Sequence, residues 1–325
     1  MRTLGLGVGW AAVAATALLL LLRWLPVTNT PLLAVIGVIP LLIVPLLIAV
    51  AVAAWWSRGR PLRVGAVVIA AIAAVSLIRP SAVVACGPTD DADALVVYSH
   101  NVLWSNTDAD SLGTALVEVD PDVILLQELS PALRWDLERD DAFADYAKAS
   151  DSIDDKIQMA LWSRWPLTDV ALTEVAGRPH LSATVLAPDG EFRLHNIHLS
   201  APVDDRRADA WDAGLRHLDG VSADEPAVMS GDFNATIHHA RFRSLLRSGW
   251  TDVHGPKGCG FDATWPADNG RVMPVLQLDH TLVSDHWDVL SVEIGDALGA
   301  DHHAVISRIR LADGAADADG DGDGA

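Results

Sequence analysis

The sequence predicts an α/β or α+β domain carried behind an apolar N-terminal segment, and three observations predict it. Charge is segregated, because residues 1–86 hold six arginines (Arg2, Arg23, Arg58, Arg60, Arg63, Arg79) and no Asp, Glu or Lys. The remaining 239 residues set 17 basic against 43 acidic side chains, within a chain of net charge −20. From about residue 90 to residue 311, short β-branched or apolar runs alternate with polar stretches of helical spacing. The chain therefore divides into a membrane anchor at 1–86, a globular domain at 87–311 and an acidic tail at 312–325. After Asp313 that tail is only Ala, Asp and Gly, too polar to join a core.

In the anchor, apolar runs at 4–22, 31–56 and 64–85 approach or exceed the roughly 20 residues that span a bilayer. Arg79 interrupts the third, and its long side chain can reach the interface. The first run is not read as a cleaved signal: no small-residue cleavage site follows Leu22, and Arg23-Trp24-Leu25-Pro26 resembles an interfacial stop. Arginine in short loops stays in the cytoplasm, so Arg58, Arg60 and Arg63 put 57–63 inside, 23–30 outside and the globular domain outside. Trp55 and Trp56 suit the inner aromatic belt. The expected location is the plasma membrane, multi-pass, with the domain extracytoplasmic. Two cysteines, Cys86 and Cys259, cannot form a disulfide framework, and no Cys/His spacing suggests zinc.

In the domain, strands are expected at 95–99, 123–126, 158–162, 192–198, 227–230, 277–283 and 304–309. Helices are expected at 205–218, where Ala208, Trp211, Leu215 and Leu218 recur at helical spacing, and at 239–247. The tail's Asp317-x-Asp319-x-Asp321-Gly322 imitates the start of a calcium loop and lacks the bidentate Glu that such a loop requires.

Hard oxygen ligands and imidazoles follow the apolar strands. One strand ends in Ser99-His100-Asn101 and another in Leu126-Gln127-Glu128. In Leu194-His195-Asn196-Ile197-His198, alternation puts His195 and His198 on opposite faces. The sharpest signal is Ser230-Gly231-Asp232-Phe233-Asn234, an apolar strand breaking at Gly into Asp-x-Asn. Period-two alternation points both side chains one way, and an Asx-turn is the less favoured reading. Such a pair offers oxygen ligands to Mg²⁺ or hydrogen bonds to a phosphate and its attacking water. Asp279-His280 and Asp301-His302 each set an acid beside an imidazole, the arrangement that fixes a histidine tautomer for proton transfer.

In this order the motifs resemble those of the endonuclease/exonuclease/phosphatase superfamily, the DNase I-like phosphoesterases, over about residues 94–310. Asn101 is similar to the family's strand-ending Asn, Glu128 to its metal-binding Glu, and His198 to its phosphate-contacting His. Gly231–Asn234 reproduces its Gly-Asp-x-Asn, Asp279 resembles the Asp that orients the catalytic histidine, and Ala300-Asp301-His302-His303-Ala304 resembles its Ser-Asp-His-x-Pro ending. Departures are Ala300 for Ser, Ala304 for Pro, and His280 where Tyr is common. The resemblance implies a four-layer sandwich of two β-sheets flanked by helices. It also implies Mg²⁺ (or Mn²⁺) held by Asn101, Glu128 and Asp301, with His198, Asp232, Asn234, Asp279 and His302 catalytic.

For the substrate, three lysines in an acidic domain disfavour nucleic acid, whose binding rests on Lys and Arg neutralising phosphates. Tethering at a bilayer favours a phosphorylated lipid or a small phosphorylated molecule. The layout resembles actinomycete membrane proteins linked to teicoplanin resistance. The alternatives are an anchored extracellular nuclease and a catalytically silent sensor.

Overall fold

The computed structural model describes residues 2–57, 60–77, 93–154, 157–257, 262–267 and 273–312. Both cysteines, residues 78–85 of the third apolar run and residues 313–325 of the tail lie outside them, and with them the question of a Cys86–Cys259 pair.

The N-terminal region is helical: α1 (Arg2–Leu22), α2 (Thr30–Gly37), α3 (Ile39–Ser57) and α4 (Arg60–Leu77). The run at 31–56 is thus not one span. Pro40 has no N–H to offer the carbonyl of Ile36, so the helical ladder is interrupted and the chain turns at Val38. Two stretches among the described residues, Gly5–Leu22 and Ile39–Trp56, are long and apolar enough to cross a membrane, not three. In α4, Arg60 and Arg63 occupy the first turn and leave only Val64–Leu77 uncharged before the described helix ends. The two stretches are only 22% and 28% buried, unlike the core helices of a soluble protein.

The rest forms two six-stranded mixed sheets packed face to face. The first has the order β11 (Trp287–Ile294), β12 (Val305–Leu311), β1 (Leu95–Asn101), β2 (Val123–Leu129), β4 (Ile157–Ser163), β3 (Ala147–Asp154). The second has the order β5 (Leu167–Val175), β6 (Arg178–Ala187), β7 (Gly190–His198), β8 (Ala227–Asp232), β10 (Asp279–Val283), β9 (Thr251–Asp252). Each sheet has one parallel pair, β1 with β2 and β7 with β8, and every other pairing is antiparallel. The apolar core between the sheets includes Val97, Leu125, Leu161, Leu194, Val228 and Val305.

Helices cover both outer faces. On the first sheet, α5 (Ala109–Val119) and α6 (Pro131–Glu138) start at the N-caps Asp108 and Ser130, whose side chains accept from Ser111 and Leu133 amides. Leu112, Leu116, Leu133 and Leu137 seal them to the sheet. On the second sheet, α7 (Asp205–Asp219) buries Ala208, Trp211, Leu215 and Leu218, the stripe its spacing predicts, and packs with α8 (Ala240–Arg247). The strands that the sequence reading missed, β3, β5, β6, β9 and β11, include the outer strands of both sheets. Along β5 most side chains are exposed, so no apolar alternation marks it.

Candidate active site

Both parallel pairs run toward the same end of the sandwich, and four candidate residues stand at or near their C-terminal ends. They are Asn101 on β1, Glu128 on β2, His198 on β7 and Asp232 on β8. Antiparallel β10 begins at that end with Asp279, which lies opposite Asp232 in the ladder. The loop before β12 adds His302.

Local backbone geometry aims these groups. The β2–β4 register shifts between Leu126 and Leu129, and Glu128 adopts φ +54°. Gln127 turns into the sandwich, where its amide donates to Asn196 Oδ1 at 2.7 Å, and Glu128 turns out to the site. In β8, Gly231 has φ +147°, and a Cβ there would lie 2.0 Å from the Ile197 carbonyl oxygen of the paired β7, so only glycine fits. The strand does not break at this glycine. It continues to Asp232, and the Asx-turn set aside by the sequence reading is present: the Asn234 amide donates to Asp232 Oδ1 at 2.8 Å, with Asn234 at φ +47°. That turn, rather than strand alternation, brings Asn234 Nδ2 within 3.0 Å of Asp232 Oδ2.

The groups converge. Asn101 Nδ2 donates to Asp232 Oδ2 at 3.1 Å and to Glu128 Oε1 at 3.3 Å, and the Trp104 amide donates to Glu128 Oε2 at 3.4 Å. His198 Nε2 lies 3.5 Å from Glu128 Oε1, and Nε2 of both His198 and His302 lies 3.9 Å from Asp232 Oδ2. His302 Nδ1 meets Asp279 Oδ2 at 2.8 Å. The Asp301 carboxylate acts on the cluster through its charge, helping to raise His302. The sequence neighbours cross over, since Asp279 serves His302, whereas His280 points away. His280 Nδ1 meets Asp252 Oδ2 at 3.1 Å, Nε2 meets the Ala235 carbonyl at 2.9 Å, and His254 Nδ1 meets Asp252 Oδ1 at 3.0 Å. This buried network braces the loop after Asp232. The sequence reading did not find Asp252 or His254, and strand alternation at Asp279-His280 is the signal that His280 needs a partner on the other face.

Electrostatics separates the imidazoles. Burial lowers His302, but Asp279 and then Asp232 outweigh it and hold the ring at about 10. Burial dominates at His198, which falls to about 4 despite Glu128. Burial also raises Asp232, while at Asp279 the His302 charge and hydrogen bond overcome burial and lower it.

Glu128 and Asp232 thus set two carboxylates on one amide, and among the described residues neither forms an ion pair with Lys or Arg. Hard carboxylate oxygens of this kind, with His302 the cationic side chain facing Asp232, fit a divalent cation. Asp232, Asp279 and His302 also lie close enough together to hold one.

A fold of two packed sheets with a carboxylate and imidazole cluster at its strand ends defines a class of phosphoester-cleaving enzymes, and the comparisons agree. The chain belongs to the endonuclease/exonuclease/phosphatase family, whose model matches residues 98–302, and it is a metal-dependent phosphoric ester hydrolase. Among solved structures it resembles a mannosyl-6-phosphatase of Bacteroides thetaiotaomicron (17% identity, 67% of this chain and 100% of that one, TM-score 0.57). It also resembles an endonuclease/exonuclease/phosphatase of Bacteroides vulgatus (18%, 67% and 99%, 0.58) and humanized D. rerio TDP2 (19%, 68% and 100%, 0.52). At these identities the likeness is one of fold. No curated protein matches the sequence.

Proposed function

We propose that this chain is a membrane-anchored, extracytoplasmic, Mg²⁺-dependent phosphoesterase that hydrolyses a phosphate ester or anhydride of a lipid-linked or small phosphorylated substrate. The observation that carries the chemistry is the pairing of a neutral and a charged imidazole across Asp232, beside Glu128. The anchoring rests on α1 and α3, whose roughly 30 Å lengths match the hydrocarbon core, and the extracytoplasmic side also requires the shorter α4 (Arg60–Leu77), which packs against both, to bring the chain back across the bilayer. Their apolar side chains, such as Leu18, Leu21, Val44 and Ile48, face outward.

Asp232 orients the attacking water and accepts its hydrogen bond, with Asn101 and Asn234 fixing the carboxylate. Neutral His198 donates to a phosphoryl oxygen. Protonated His302, held by Asp279, donates to the phosphate as charge builds on it and can protonate the leaving oxygen when the P–O bond breaks. Glu128 with Asn101 would hold the cation, which polarises a phosphoryl oxygen when bound.

The test is phosphate release by the full chain in detergent, with Mg²⁺ or EDTA, on polyprenyl pyrophosphate, phospholipid, inositol phosphate and DNA. EDTA-sensitive turnover of a phosphorylated lipid or small molecule, lost in Asp232→Ala and His302→Ala, is expected. Salt-sensitive cleavage of DNA alone would make the chain a nuclease, and no turnover on any substrate would leave a silent sensor.

A further inference from the structure

Every contact between the N-terminal helices and the domain that can be named falls at or beside the end bearing the site. Thr30 Oγ1 donates to Asp205 Oδ1 at 3.2 Å, at the start of α7. The Arg243 guanidinium donates to the Arg23 carbonyl and lies 5.1 Å from the Trp24 ring centroid. His239 Nδ1 accepts from the Thr236 amide at 2.9 Å, which leaves the proton on Nε2, and Nε2 donates to the Leu33 carbonyl at 3.1 Å. A Cβ on Gly37 would lie 3.6 Å from His239 and 3.9 Å from Leu276. Thr236 and His239 follow Asn234 in the catalytic loop, and Leu276 shortly precedes Asp279.

These contacts set the height of the site above a bilayer. The membrane-length stretch of α3 begins at Ile39, two residues after Gly37, which sits beside His239 of the catalytic loop. The stretch in α1 ends at Leu22, and the turn after it exposes Trp24 and Leu25.

Three loops at the same end of the sandwich expose large apolar side chains. Trp104, three residues past Asn101, is 56% exposed. Val203, five residues past His198, is 63% exposed, and Met273, six before Asp279, is 74% exposed. One exposed apolar side chain is ordinary, but three from separate loops that lead from or into Asn101, His198 and Asp279 make a surface suited to lipid.

We infer that the rim of the site is a bilayer-docking surface, in which Trp104, Val203 and Met273 enter the outer leaflet beside Trp24 and Leu25. A substrate's phosphate then meets His198 and His302 while its apolar part stays in the membrane. This inference rests on the anchored reading above and narrows its substrate class to bilayer-resident amphiphilic phosphates.

The test places a nitroxide on Val203→Cys, Met273→Cys or, at the far-end turn between β6 and β7, Asp189→Cys. The background is full-length Cys86→Ser/Cys259→Ser chain in phosphatidylcholine nanodiscs. Accessibility to oxygen and to a water-soluble nickel chelate is read from the spin signal, which needs no turnover. Labels at 203 and 273 are expected to favour oxygen at least about tenfold more than the label at 189 does. Equal nickel access at all three positions would overturn the docking surface, even if the same samples release phosphate from a soluble ester. Oxygen-favouring labels on a chain inert toward every phosphate would uphold it and sink the phosphoesterase reading alone.

Discussion

Both sides of the site bury a histidine against the same carboxylate oxygen, with His198 Nε2 and His302 Nε2 each 3.9 Å from Asp232 Oδ2. Their exposures are alike at 5%. Yet one ring is pushed down to about 4 and the other up to about 10. Burial does not separate them, and Asp232, which helps to raise His302, is only the second influence there after Asp279. Asp279 at 2.8 Å separates them, since the Glu128 oxygen facing His198 stands at 3.5 Å, is shared with Asn101, and belongs to a more exposed side chain. One dedicated, buried hydrogen-bonded carboxylate thus makes one imidazole a cation and leaves the other neutral, the division of labour that proton transfer to a phosphate requires.

The largest effect should come from removing the group both sides share. Asp232→Asn keeps the shape but loses the charge that orients water, and turnover of a soluble phosphate ester should fall about 10³-fold. A residual rate near wild type would show that Asp232 is a structural acceptor for Asn101 and Asn234 only.

Asp279→Asn breaks the asymmetry itself. The His302 pKa is raised in the fold, so the pair's contribution to stability is fully present below the unfolded value near 6.5 and is lost as pH rises toward 10. In metal-free Asp279→Asn chain the His302 ring should titrate well below 10, following burial as His198 does, and turnover should drop about 10²-fold. Proton NMR of the ring checks the first and phosphate release the second. An unmoved His302 would mean that Asp232 alone holds the proton.

Glu128→Gln probes the other side. Losing one charge from the oxygen pair should raise the Mg²⁺ concentration for half-maximal rate by at least about tenfold while leaving His302's titration in place. A metal requirement unchanged by this substitution would move the cation to the Asp232, Asp279 and His302 group.

How much of this was legible follows strand by strand. The central strands β1, β2, β7 and β8 are buried, so their apolar runs and the polar residues at their ends stand out in sequence. The pairing of Asp279 with His302 is what the family resemblance implies and the structure has it, whereas that of His280 with Asp252 was not readable from the Asp279-His280 dipeptide. Alternation says that neighbours diverge, and only the packing of the two sheets says whom each one meets. Glu128 reaches the site through a register shift that no residue type announces. The break at Val38 did have a signal in Pro40, masked by a hydropathy that stays high on both sides.

The smallest effect tests whether the rule drawn from His198 and His302 holds away from the site. His180 and His195 meet through Nε2 and Nδ1 at 3.1 Å, among the described residues with no hydrogen-bonded carboxylate, and burial lowers them to about 4 and about 3. By the same logic both rings are neutral in the fold. An unfolded chain then binds more protons than the folded one below the unfolded value near 6.5. Stability should therefore be full above that pH and decline as pH falls toward 4, with each histidine adding at most about 1.4 kcal/mol per pH unit to the slope. Urea unfolding at pH 7.5, 6 and 5 reads this directly, and His195→Asn should flatten the slope even if it costs stability at pH 7.5. A slope identical in wild type and variant would mean that burial without a carboxylate does not set these charges, and the account of His198 would fail with it.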